Sequence, residues 1–132
     1  MRNFFAKKPL PLTGVPGVRR LKSYAAQSGF AYQYFHEGQR PFQNGRESGI
    51  EFVFTVSGDR KTWHAVSVLV LDAAVGAWEA AHGRALSATE RYAISKMALF
   101  QAFDERAVPD LMKQDVHVRA ADVDALIETL GL

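Results

Sequence analysis

With 132 residues, 48% of them hydrophobic and 23% charged, the chain has the length and composition of one globular domain with its own core, which excludes a fibrous or disordered polymer. It has no cysteine, which excludes disulfides, thiolate metal ligands and cysteine nucleophiles and makes a cytoplasmic location the expectation. The net charge of +2 is uneven: the first 36 residues carry Arg2, Lys7, Lys8, Arg19, Arg20 and Lys22 and no acid, so the remainder is net −4.

Such a basic front end calls for an acidic partner, either nucleic acid or the acid-rich stretch from Asp104 to Glu128 of the same chain. The longest apolar run, Ala65 to Leu71, is broken by Ser67 and falls far short of the roughly 20 residues a bilayer span needs, so no membrane partner is expected. The opening residues lack the apolar core of a signal peptide.

In chain order, residues 1–17 are expected to form an extended arm ahead of a single domain at residues 18–132. Residues 6–17, AKKPLPLTGVPG, hold three prolines and two glycines, which disfavour a helix or an inner strand. Within them LPLTG resembles the LPxTG pattern that sortases cut, but the apolar stretch and basic tail of a sorting signal do not follow, and nothing is inferred from it. Leu21–Gln27 reads as a strand and Ser28–Gly29 as a turn. Phe30–Glu37 reads as an aromatic strand with Phe30, Tyr32, Tyr34 and His36 on one side and Ala31, Gln33, Phe35 and Glu37 on the other. Gly38–Gly49, with Pro41 and a single apolar residue, Phe42, reads as a long loop in which Asn44–Gly45 can form a small tip.

Ile50–Leu71 is the organising stretch. Two runs rich in Val, Phe, Ile and Thr flank Ser57–Lys61, a turn-forming cluster, and predict a β-hairpin. A three-residue loop puts Ile50, Phe52, Phe54 and Val56 on one face with His64, Val66, Val68 and Val70, and Glu51, Val53 and Thr55 on the other with Trp63, Ala65, Ser67 and Leu69. A two- or four-residue loop swaps the partners. Either way both faces are apolar, and both call for cover.

Asp72 then reads as the cap of a helix closed by Gly83, with His82 in its last turn. Ser87-Ala-Thr-Glu90 is a capping box opening a helix to about Arg106, before Pro109. Val123, Leu126, Ile127 and Leu130 have the spacing of an amphipathic helix over Ala120–Leu130, closed by Gly131. The predicted class is therefore α+β: an antiparallel sheet of three or four strands, followed by three helices packed on it.

The functional signals are sparser. There is no GxSxG, phosphate-loop, GxGxxG or HExxH pattern, and no catalytic residue, metal ligand or cofactor is assigned. The four histidines stand apart from other ligands, and His36 and Glu37, adjacent on a strand, point to opposite faces. A non-enzymatic interaction or assembly module is the first expectation, self-associating as a homodimer or binding another protein through Val53, Trp63 and Leu69. The second is a nucleic-acid-binding accessory protein in which Arg19, Arg20, Lys22, Arg40 and Arg46 meet phosphates and Tyr32 and Tyr34 stack on bases. A small enzyme is the third.

Overall fold

The computed structural model describes residues 10–132. Five strands form one sheet in sequential order: β1 (Lys22–Ala25), β2 (Ala31–Asn44), β3 (Glu47–Ser57), β4 (His64–Leu71) and β5 (Val116–Val118). The first four make an antiparallel meander; β5 pairs parallel to β4. Parallel neighbours need a long crossover. Here it holds α1 (Asp72–His82), α2 (Ala88–Glu105) and a short 3-10 turn at Pro109–Lys113, and α3 (Ala120–Leu130) follows β5.

This is the expected α+β order, with two corrections. A fifth strand comes from the connector after α2, and Gly38–Gly49 is not a loop. β2 continues through it to Asn44, turns over Gly45 (φ +62°) and Arg46, and returns as β3, with Asn44 opposite Glu47. β1 covers only Ala31–Tyr34, so the later part of β2 has no strand on that side. Pro41, which has no N–H to give, is tolerated there as on an edge. The two halves of β2 are offset by a bulge between His36 and Gly38.

Thr13 reaches that free edge. Its N–H donates to the Gln39 carbonyl at 2.7 Å and its carbonyl accepts from the Gln39 N–H at 2.9 Å. Gly38 makes room for it: a Cβ there would lie 2.8 Å from the Thr13 carbonyl oxygen, and its φ of +148° disfavours any side chain.

In the central hairpin Val56 stands opposite His64 and Phe54 opposite Val66. The loop is longer than three residues, but its parity is that of the three-residue alternative. Phe52, Phe54, Val56, Val66, Val68 and Val70 therefore share one face with Tyr32, Tyr34, Val116 and Val118, all at most 7% exposed. The helices cover this face: Val75 and Trp78 of α1, Ile94, Leu99 and Phe103 of α2, and Val123, Leu126 and Ile127 of α3 join one cluster with it. Tyr32 stacks on Phe103 at 4.1 Å and Tyr24 on Phe100 at 4.3 Å, so the aromatic strand is paired with an aromatic helix.

The capping box is present as expected, with Ser87 Oγ accepting from the Glu90 N–H at 3.1 Å and Glu90 Oε1 from the Ser87 N–H at 2.9 Å. Asp72 departs from expectation. It is the first helical residue of α1 rather than its cap, and its carboxylate accepts from Ser48 Oγ at 3.0 Å. Among the described residues no helix is long and apolar enough to cross a membrane.

Candidate functional site: the second face of the sheet

The face opposite the helices carries Gln33, Phe35, Glu37 and Arg40 of β2, Glu51, Val53 and Thr55 of β3, and Ala65, Ser67 and Leu69 of β4. None of these belongs to the cluster built with the helices. Val53 and Leu69 are nonetheless only 7% and 8% exposed. Each stands opposite a residue of a polar network: Val53 opposite Ser67, and Leu69 opposite Glu51.

That network is closed on itself. Arg40 Nε donates to Glu51 Oε1 at 2.9 Å, and Ser67 Oγ donates to Glu51 Oε2 at 2.5 Å. One strand pair away, Thr55 Oγ1 donates to Glu37 Oε2 at 2.6 Å, and Arg19 lies 3.1 Å from Glu37 Oε1. Burial alone would raise the Glu51 carboxyl, but the hydrogen bonds from Arg40 and Ser67 outweigh it and hold it below the usual carboxylate range. The two cations and two carboxylates cancel. The face is thus neutral, half-dry and mixed, with Phe35 and Trp63 at one end, their rings 6.1 Å apart. Trp63 is 39% exposed.

Of the interface residues expected from sequence, Val53, Leu69 and Trp63 all lie on this face. The residues expected to meet nucleic acid are dispersed. Tyr32 and Tyr34 are buried beneath α2, at 0% and 4% exposure. Arg19 and Arg40 are paired with Glu37 and Glu51, and Arg46 stands at the β2–β3 tip. Arg20, Lys22 and Tyr34 do converge, on a cleft beside β1 that also holds His36 and Tyr92. Among the described residues no front-end cation pairs with an acid between Asp104 and Glu128, so the expected match of the two ends within one chain is not made by ion pairs.

Sequence reasoning passed over Phe35, Glu37, Glu51 and Ser67. Plain alternation would put Arg40 on the Tyr34 side, and it is the bulge between His36 and Gly38 that brings it opposite Glu51. Among the described residues no group of three or more His, Asp or Glu side chains could hold a metal ion. Compared with models of known protein families, with curated proteins and with solved structures, the chain matches none, so what its second face does must be read from its own residues.

Proposed function

We propose that this protein is a non-enzymatic assembly module that pairs with a second copy of itself through the second face of its sheet. The observation that carries the reading is the exposed Trp63 beside Phe35 at the edge of that face, with the neighbouring charges already neutralised inside the same subunit. Burying a charge is costly unless it arrives paired. Arg40–Glu51 and Arg19–Glu37 arrive paired, so an identical face can dock without orphaning an ion. A two-fold arrangement, the commonest among homo-oligomers, presents each patch to its own copy.

A nucleic-acid surface would need the reverse, unpaired cations beside open aromatic rings. On the second face the cations Arg19 and Arg40 are both paired. The test is an Ala65→Arg variant, which adds a charge that the copy cannot pair at an exposed position of the same face. In the parent, Trp63 emission should shift to longer wavelength on dilution as the ring meets water. In the variant it should be long-wavelength at every concentration, with the thermal midpoint of the subunit little changed. Trp63 emission that ignores both concentration and the substitution contradicts the reading.

A further inference from the structure

A cleft of about 250 Å³ opens between the segment before β1, β1 itself, β2 and the first half of α2. Pro16, Val18, Arg20, Lys22, Tyr34 and Tyr92 line it. Lys96, one turn beyond Tyr92, places its ammonium 5.9 Å from the centre of the Tyr34 ring and 5.9 Å from that of Phe100. It is half-buried, and burial together with the nearby Lys22 charge holds its pKa below the ordinary lysine value. Lys96 thus lies against the Tyr34 ring that lines the cleft, while Arg20 and Lys22, both exposed, line it directly.

No ion pair among the described residues balances Arg20, Lys22 or Lys96, and residues 1–9 contain no Asp or Glu. Elsewhere in the molecule Arg19, Arg40, Arg84, Arg91 and Lys113 each have a carboxylate within 4 Å. His36, which also lines the cleft, has a buried Nε2 without a partner among the described residues. An unbalanced cationic cluster around a small, aromatic-walled cleft is what a compact anion with an apolar body requires: charge-assisted hydrogen bonds for its head and ring or aliphatic surface for the rest.

We infer that this cleft binds a small organic phosphate monoester, its dianionic head held by Arg20, Lys22 and Lys96 and its apolar body lying against Pro16, Val18 and Tyr92. A dianion suits the cluster better than a monoanion, because it relieves the mutual repulsion of Lys22 and Lys96 as well as the desolvation of Lys96 by burial. The site is separate from the second sheet face and stands or falls independently of self-association.

The probe is phenyl phosphate, titrated calorimetrically and by NMR into the full chain. Saturable one-to-one binding is expected, with shifts at Lys22, Tyr34, Tyr92 and Lys96, and inorganic phosphate and benzyl alcohol each binding at least about tenfold more weakly. A Lys22→Gln, Lys96→Gln variant should lose about tenfold or more in affinity, the scale of one charge-assisted hydrogen bond. Absence of saturable binding at millimolar probe, shifts located elsewhere, or undiminished binding by the folded variant would overturn the proposal. Should that variant fail to fold, the shift map of the parent protein decides alone.

Discussion

Gly49 shows how much one residue position settles. It sits in β3 opposite Leu71 and Phe42, and a Cβ there would meet the Val70 carbonyl oxygen, with the Phe42 ring at 2.9 Å and the Leu71 Cα at 3.0 Å. Two of these are backbone atoms that cannot swing aside. Gly49→Ala is therefore expected to destabilise by about 1–3 kcal/mol, the usual range for forcing an extra carbon into a packed site. Urea denaturation checks it, and an unchanged midpoint would show that the strands can separate locally without loss.

Two carboxylates contribute most visibly to the acid behaviour, the exposed Asp59 and the half-buried Glu90. Asp59 accepts from the backbone N–H groups of Thr62 and Lys61, each at 2.8 Å, and its pKa falls to about 2. Glu90, held by Arg84 and by the Ser87 N–H of the capping box, also falls to about 2. Both native-state values lie below the unfolded ones, so the stability they contribute is complete above the ordinary carboxylate range near 4 and is lost as pH falls toward about 2. Urea midpoints should drop over that interval. In Asp59→Asn, Glu90→Gln the drop should be shallower, from a lower starting stability at neutral pH; an equal slope in parent and variant would contradict the assignment. The box was legible because its spacing is local. Asp59 was legible only as a turn former, since its partners belong to a loop whose length the composition does not specify.

At the scale of elements, the late part of the chain depends on one side chain. Arg106, just past α2, donates to the carbonyls of Leu111 at 3.0 Å, Gln114 at 2.7 Å and Asp115 at 3.0 Å. It thereby pins the 3-10 turn and delivers Val116–Val118 to the edge of β4. Arg106→Ala should cost about 2–3 kcal/mol, and Arg106→Lys most of that, because a point ammonium cannot address three carbonyls as a planar fork does. Hydrogen exchange should report the loss first at β5. Uniform protection in the variant would mean that β5 is held by Val116 and Val118 alone.

The same clamp explains why β5 was unreadable from sequence: three residues are too few for any period, and the strand exists because Arg106 and the groove beside β4 select it. The stretch from Gly38 to Gly49 misled for the opposite reason. Its polar residues and Pro41 read as a loop, yet β3 supplies their backbone partners, and the side with no β1 tolerates the proline. The hairpin, by contrast, was readable in both strands, but which of their faces pair was not, because that depends on the parity of a loop whose length the composition does not specify.

For the whole molecule, the apolar alternation on both hairpin faces demanded two covers, and the fold supplies one of them with α1, α2 and α3. The second face is handled differently, by an internally neutral network that shields Val53 and Leu69 while leaving Trp63 at its border. That the helices choose the Phe52–Phe54 face was not readable, since both faces carry enough apolar surface to attract them. What the second face does once two molecules meet is the central claim. The most direct test is the molar mass measured by light scattering across a micromolar concentration series, for the parent chain and for Ala65→Arg. The account predicts a rise toward twice the 14.6 kDa chain mass for the parent and a constant single-chain mass for the variant. A parent that stays at the single-chain mass throughout the series would contradict it.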